Sequence, residues 1–352
     1  MNPTLRLLIV DDSAYNRRHI ADIFANIPEV EIVGKAADGE EALRLASLLK
    51  PDLITLDLEM PRMDGFTFLR ILMAKQPTPV IVVSSYAQRE NVFKAIELGA
   101  LDFVAKPDRQ ITPDATELRE QILTKVLQFR AQRPGPTRPL SKRTPSGVFE
   151  EARPPSQRPT HVVFPRWVVG IVSSTGGPSA LLEVFSRLPA GTPATYLVAQ
   201  HMPDKFTRTF AERLGRRGPV RVTEAQDGDR TSAGAGFVCP GRQCMELEQS
   251  GAEYRLRVAP ASPEDRYVPS GDRLLLSVAR VGGSRAVGVV LTGMGDDGVE
   301  GAKAIVAAGG SVIIESQETA VVYGMPGAVK RAGIPARELP LPQIGDALAA
   351  LS

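Results

Sequence analysis

Along the first 128 residues a short apolar run gives way, five times over, to a polar turn and then to apolar positions three or four apart, the signature of strand, turn and helix in alternation. Leu5–Val10 is the first run, and Asp11-Asp12-Ser13 after it opens a helix with Ile20, Ile23, Phe24 and Ile27 on one face. Strands at Val30–Gly34, Leu53–Asp57, Val80–Val83 and Phe103–Ala105 follow. Helices at Gly39–Leu49, Phe66–Ala74 and Arg89–Leu98 separate them, the last stopped by Gly99, and Thr116–Gln128 closes the series. This alternation predicts a doubly wound parallel sheet, whose sites gather beyond the carboxyl ends of the strands.

A second alternation begins at Trp167. The apolar run to Val172 ends in Ser173-Ser174-Thr175-Gly176-Gly177, and Pro178–Leu188 continues as a helix with proline where a first helical residue belongs. Tyr196–Ala199 is a strand ending in Gln200-His201-Met202-Pro203. Asp204–Leu214 carries Phe206, Phe210 and Leu214 four apart, and Gly215 is expected to close that helix. Residues 219–261 read as shorter strands with Gly and Pro turns, and Gly271–Val281 is amphipathic. Ala286–Leu291 is a buried strand that runs into TGMGDDG at 292–298 and a Gly/Ala-rich helix.

Between the two patterns, residues 131–160 hold seven prolines, six basic residues and two acids, the composition of a linker. Its net +4 exceeds the +2 of the whole 352-residue chain, so the flanking domains are together slightly acidic. The division expected is a first domain at 1–130, a Pro-rich basic linker at 131–163 and a second domain at 164–352. A hydrophobic content of 43% suffices for two cores. No apolar run approaches the roughly 18 residues of a membrane span, and MNPTLRLLIVDDS turns acidic too early for a signal peptide. A cytoplasmic protein without membrane insertion is expected. Cys239 and Cys244 have no second Cys or His pair at metal-ligand spacing near them and read as unpaired thiols.

The polar residues of the first pattern collect at strand ends: Asp11 and Asp12 after the first, Asp57 at the third, Ser84 after the fourth, Lys106 after the fifth. Three carboxylates so crowded repel one another unless a divalent cation sits among them. Mg2+ fits, since one or two carboxylates, a backbone carbonyl (here that of Glu59), waters and a phosphate oxygen satisfy it. Asp57 can then attack a phosphoryl donor as a carboxylate nucleophile, with Lys106 neutralising charge on the transferring oxygens. Aspartates acting merely as turn formers would leave Ser84 and Lys106-Pro107 unaccounted for. Residues 5–128 resemble a response-regulator receiver domain. The resemblance implies a flavodoxin-like fold, phosphorylation at Asp57, Mg2+ held by Asp11, Asp12 and Asp57, a switch set of Ser84, Phe103 and Lys106, and a sensor histidine kinase as phosphodonor. Phe103 lacks a phenolic hydroxyl, so switching through that aromatic has to work by packing.

In the second pattern Ser174 stands where a strand becomes a helix, a turn that lifts a hydroxyl clear of the sheet. Gly176 and Gly177 leave bare backbone for a substrate, and the helix N-terminus suits an oxyanion. A phosphate loop would want Lys before its Ser/Thr and a dinucleotide fingerprint a third glycine, while a plain N-cap stays open on this motif alone. Of the three histidines only His201 lies at a strand end of the second domain; His19 falls in a first-domain helix and His161 in the linker. With Asp296 or Asp297 it completes a Ser–His–carboxylate set, and spacing does not choose between the two acids. The order Ser, His, Asp matches neither α/β-hydrolases, chymotrypsin-like enzymes nor subtilisins.

Residues 166–350 are similar to the catalytic domain of chemotaxis protein-glutamate methylesterases, the CheB family. The likeness rests on SSTGG (173–177), QHMP (200–203) with FTRTFAERL (206–214), LTGMGDDG (291–298) and VVYGMP (321–326). It implies a Rossmann-like serine esterase domain with its nucleophile at Ser174, its histidine at His201, its triad aspartate at Asp297 and an oxyanion hole formed by the Met294 N–H. The Thr175 N–H is the second donor by analogy with other serine hydrolases. The implied substrates are glutamate methyl esters on the cytoplasmic helices of methylated chemoreceptors, releasing methanol, with deamidation of receptor glutamines beside it. The family also implies a receiver that covers the catalytic cleft until Asp57 is phosphorylated. No cofactor is expected for the ester hydrolysis itself.

Val172-Ser173 departs from the Gly-Ala that usually precedes the family's STGG. A backbone needing positive φ at 172 would strain a β-branched residue, whereas an ordinary strand position would not. Two readings from other classes stand beside the enzyme. One is a phosphorylation-dependent docking module with an inactive esterase domain. The other is a DNA-binding output, against which stand the near-neutral domains and the lack of a short basic recognition helix, so no nucleic-acid partner is expected.

Overall fold

The computed structural model describes residues 3–85, 89–106, 115–131 and 163–351. The chain divides into two compact units, Met1–Val148 and Phe149–Ser352, each built on its own parallel sheet. Apart from its end residues Ala131 and Val163, the linker expected at 131–163 lies outside the described residues.

In the first unit the strands are β1 (Leu5–Val10), β2 (Val30–Ala36), β3 (Leu53–Leu56), β4 (Val80–Ser85) and β5 (Asp102–Lys106). Helices α1 (Ala14–Phe24), α2 (Gly39–Leu49), α3 (Gly65–Lys75), α4 (Arg89–Glu97) and α5 (Ala115–Ala131) alternate with them. The sheet order is β2-β1-β3-β4-β5 with every pairing parallel, the flavodoxin-like winding. Helices cover both faces of such a sheet, which is why Leu53–Leu56 is buried at every position rather than alternately. Side-chain caps set the helix starts: Ser13 accepts from Asn16 N, Asp38 from Glu40 N and Glu41 N, and Asp64 from Thr67 N.

The second unit runs β6 (Trp167–Ser173), α6 (Gly177–Ser186), β7 (Ala194–Gln200), α7 (Asp204–Arg217), β8 (Arg221–Glu224) and β9 (Ala235–Val238). It continues through β10 (Gln243–Ser250), β11 (Glu253–Pro260), α8 (Gly271–Gly282), β12 (Ala286–Val290), α9 (Val299–Ala307), β13 (Ser311–Glu315), α10 (Met325–Arg331), β14 (Arg337–Leu339) and α11 (Leu341–Ala349). Seven strands form a parallel sheet in the order β14-β13-β12-β6-β7-β9-β8, while β10 and β11 make a separate antiparallel hairpin. From β6 the chain winds through β7 to one edge and then returns to β12 on the other side of β6. That reversal opens a crevice at the carboxyl ends of β6 and β12, where ligands bind in open α/β sheets.

Helix α7 does not stop at Gly215 but continues to Arg217. Gly215 serves a close approach instead of a cap: a β-carbon there would lie 3.3 Å from Val222 N, so its absence lets β8 pack onto the helix. Cys239 and Cys244 are free and buried. Among the described residues no helix is long and apolar enough to cross a membrane.

Candidate active site

The first unit brings Asp11, Asp12 and Asp57 together at the carboxyl ends of β1 and β3, with carboxylate oxygens within 4.8 Å of one another. Asp11 and Asp57 are buried and Asp12 is exposed. Lys106, at the end of β5, donates from Nζ to Asp11 Oδ2 at 2.9 Å and to Asp57 Oδ2 at 2.5 Å. Burial pushes the Asp57 carboxyl above its ordinary range, and the Asp11 charge adds to that against the opposing pull of Lys106. Lys106, which burial alone would lower, is held above its usual value by the two carboxylates. One ammonium against three carboxylates leaves a net negative pocket of the kind a hard divalent cation fills. Ser84 is fully buried at the end of β4, and Phe103 on β5 is buried with its ring edge-on to Phe93 at 6.1 Å.

In the second unit, Ser173 and Gln200 are register partners on β6 and β7, so Ser174 and His201 each lie one residue beyond a paired position. The His201 N–H donates to Ser173 O at 3.0 Å. Gln200 ties the two strand ends together, its Nε2 donating to Ser174 O and His201 O, both at 3.0 Å. The hydroxyl of Ser173 is buried and donates to Gln200 Oε1 at 2.6 Å. Ser174 is partly exposed, and its hydroxyl makes no hydrogen bond among the described residues. The two adjacent serines are thus distinguished by their surroundings: one is a buried structural donor and the other is a partly exposed residue at the strand end.

Val172 is fully buried in ordinary strand, paired with Ala199 and Val290. The left-handed conformation that the turn requires falls on Gly176, at φ +78. Valine at 172 therefore carries no backbone strain.

His201 Nε2 and Asp297 Oδ2 are 2.8 Å apart. Asp297 is buried, and the start of α8 closes around it: Gly271 N donates to Oδ2 at 2.7 Å and Asp272 N to Oδ1 at 2.9 Å. Two donors at a helix N-terminus stabilise a carboxylate that has left water. Asp296 points elsewhere, bound by Arg266 Nη1 at 3.0 Å and by the Tyr267 hydroxyl at 2.9 Å. Neighbouring acids that spacing could not separate thus take different partners, and Asp297 meets the histidine.

The capping is reciprocal. α9 begins at Gly298 without a side-chain cap of its own, and Asp272 Oδ1 accepts from Gly301 N at 2.9 Å in its first turn. Asp297, just ahead of α9, holds the start of α8, while Asp272, in the first turn of α8, holds the start of α9. Burial, with the nearby Asp297 charge, pushes the Asp272 carboxyl up to about 6 against the lowering by Gly301 N–H.

Thr292 fastens the remaining loop. Its N–H donates to the buried Glu315 Oε2 at 2.8 Å and its hydroxyl to Thr175 O at 2.9 Å, while that hydroxyl accepts from Val322 N at 2.9 Å. Ser174 N donates to Thr292 O, Gly293 N to Val322 O, and Gly293 O accepts from Gly324 N and Met325 N. The VVYGMP segment is therefore a backbone clamp on residues 292 and 293. No β-carbon fits at Gly293, where it would stand 2.8 Å from Ser174 Cβ and 2.3 Å from Met325 Sδ. The Met294 N–H beyond it donates to no described residue and sits at a partly exposed position.

Tyr267, Asp272, Glu315 and the backbone of Gly271 escape a sequence reading. Ser270-Gly271-Asp272 does announce a helix start ahead of the amphipathic run, but nothing local says which carboxylate that start receives.

A family model described as CheB methylesterase matches residues 169–348, and one described as response regulator receiver domain matches residues 7–115. The chain is 46% identical over 348 residues, 99% of its length and 97% of the relative's, to a Myxococcus xanthus protein named protein-glutamate methylesterase/protein-glutamine glutaminase 1. It is 47% identical over 335 residues, 92% of this chain and 90% of the other, to a Geobacter sulfurreducens protein named protein-glutamate methylesterase/protein-glutamine glutaminase 3. Among solved structures, the CheB methylesterase catalytic domain of Thermotoga maritima aligns at 35% identity and a TM-score of 0.51, covering 53% of this chain and 98% of that one.

Proposed function

The chain belongs to the CheB methylesterase family and is a protein-glutamate methylesterase/protein-glutamine glutaminase with a receiver domain, and on that footing we propose that Ser174, His201 and Asp297 carry the hydrolysis. The observation that supports this reading most is the pairing of His201 with a buried Asp297 at the crevice where the partly exposed Ser174 also lies. With Nε2 turned to Asp297, Nδ1 is the ring nitrogen left to receive the serine proton.

Ser174 Oγ attacks the carbonyl carbon of a γ-glutamyl methyl ester as its proton passes to His201. Asp297 stabilises the imidazolium, and the N–H groups of Met294 and Thr175 receive the oxyanion. The bond to the methoxy oxygen breaks, and methanol leaves with the proton from His201. Water then attacks the glutamyl-serine ester, giving a proton to His201 that returns to Ser174 as the acyl bond breaks. With glutamine in place of the ester the same sequence releases ammonia.

In the receiver, Asp57 is the phosphoryl acceptor, Asp11, Asp12 and Asp57 hold Mg2+, and Ser84, Phe103 and Lys106 read the modified state. The metal, when bound, neutralises charge on the phosphoryl oxygens. The domains run 1–130, 131–163 and 164–352 as receiver, linker and esterase. The partners are a sensor histidine kinase and the cytoplasmic helices of methylated chemoreceptors, which places the enzyme in the cytoplasm. No relative or family match supports the idle docking module.

Methanol release from a methylated receptor fragment, with and without a small-molecule phosphodonor, tests the assignment. Ser174→Ala is expected to abolish release and Ser173→Ala to leave it measurable. Release that survives Ser174→Ala sinks the nucleophile assignment.

A further inference from the structure

The ring of Tyr267 lies parallel to the imidazole of His201, with centroids 5.3 Å apart and planes 8° from each other. Its hydroxyl donates to Asp296 Oδ1 at 2.9 Å, and Arg266 grips both oxygens of the same carboxylate at 3.0 and 3.1 Å. The Arg266 guanidinium also stands 5.1 Å from the centre of the Tyr267 ring. Asp296, the acid left outside the triad, is therefore the anchor that fixes an aromatic wall beside the histidine.

We propose that Tyr267 is a positioning residue for His201, and this rests on the reading of His201 as the general base. An imidazole bonded to Asp297 through one nitrogen can still rotate about that bond. A flat wall on its face restricts the rotation and keeps the other nitrogen turned toward Ser174. The face of a phenol also attracts a cation, so the wall favours the imidazolium that forms as the serine proton is taken. Donation of the hydroxyl to a carboxylate enriches that face further. The charged and titratable groups around the histidine are Asp297 from the loop after β12, Asp272 at the start of α8, and Tyr267, Asp296 and Arg266 at the rim; the last two neutralise each other.

The test uses the full-length, phosphodonor-activated protein and methanol release from a methylated receptor fragment over a range of pH. Tyr267→Leu, which removes the ring, is expected to lower kcat roughly tenfold with KM nearly unchanged, and to displace the acidic limb of kcat/KM downward by about half a pH unit. Tyr267→Phe, which keeps the ring but not the bond to Asp296, is expected to recover most of that loss. Asp296→Ala, which frees the hydroxyl with the ring intact, should lose about two- to threefold and shift the limb the same way. An unshifted limb in Tyr267→Leu overturns the proposal, as does a rise in KM at constant kcat, which would make Tyr267 a substrate contact. Tyr267→Phe as impaired as Tyr267→Leu overturns it too, because the hydroxyl and not the ring would then matter. Should Tyr267→Leu fail to fold, Asp296→Ala and Tyr267→Phe decide: an unshifted acidic limb in Asp296→Ala, or a roughly tenfold loss of kcat in Tyr267→Phe, overturns the proposal. Ser174→Ala is run alongside: activity that survives it removes the triad itself, whereas a dead Ser174→Ala with an unaltered Tyr267→Leu removes only the role given to the tyrosine.

Discussion

Val172 and Gly271 touch so closely that a β-carbon at residue 271 would stand 2.2 Å from Val172 Cγ1 and 3.0 Å from Asp297 Oδ2. The valine on β6 fills the space that a glycine at the first turn of α8 leaves open, and the same glycine's N–H holds the Asp297 carboxylate that meets His201. Gly271→Ala is expected to cost about 1–3 kcal/mol of stability through overpacking and to depress methanol release by moving the helix start off Asp297. Val172→Ala in the same chain should return most of both. A double-mutant cycle read by thermal melting and by activity measures the coupling, and additive effects would show that the two residues do not share the space.

Asp272 supplies a pH dependence of known sign. Its carboxyl titrates at about 6 in the folded chain against an ordinary 3.8, so between those values the folded state keeps a proton that the unfolded state has lost. The stability that this proton brings is fully present below the ordinary value and disappears as pH rises through about 6. Solvent screening at a partly exposed group reduces the effect to the order of 1 kcal/mol. Asp272→Asn keeps an oxygen for the Gly301 N–H and should flatten this part of the profile. Denaturant melts at pH 5 and pH 8 would show the wild-type difference shrinking in the variant.

Thr292 joins three loops with one side chain. Thr292→Val leaves the Val322 N–H and the Thr175 carbonyl without their buried partner, at a cost of about 1–3 kcal/mol. The loop carrying Met294 loosens with it, so kcat should fall more than KM rises. Equal kcat in the variant, measured below its melting range, would detach this clamp from catalysis.

The acidic pocket of the receiver predicts that chelation of divalent metal blocks activation without touching basal hydrolysis. EDTA should abolish incorporation of phosphate from a small-molecule donor and leave unstimulated methanol release where it was. Asp57→Ala should show the same basal rate and no response to the donor. Stimulation that persists in Asp57→Ala would move the acceptor elsewhere.

Much of this protein was determined by local pattern. Apolar runs alternating with helical spacing announce two parallel-sheet units, since a strand covered on both faces must be apolar throughout, as Leu53–Leu56 is. Glycines and polar residues at strand ends likewise place Asp57, Ser174 and His201 at the edge where such sheets gather chemistry. What tertiary structure alone decided concerns partners far apart in sequence. Asp297 rather than Asp296 meets His201 because the start of α8, 26 residues earlier at Gly271, offers its N–H to one acid while Arg266 and Tyr267 take the other. Ser173 is the serine tied into the fold, because Gln200 on the neighbouring strand binds its hydroxyl, while Ser174 beside it stays partly exposed. The Val172 side chain has room because Gly271 lacks a β-carbon, and Gly215, inside α7 and not at its end, lets β8 come close for the same reason. In each case the deciding quantity is a hydrogen bond or a contact between elements, and residue spacing along the chain carries no record of it until the sheet and its helices have closed together.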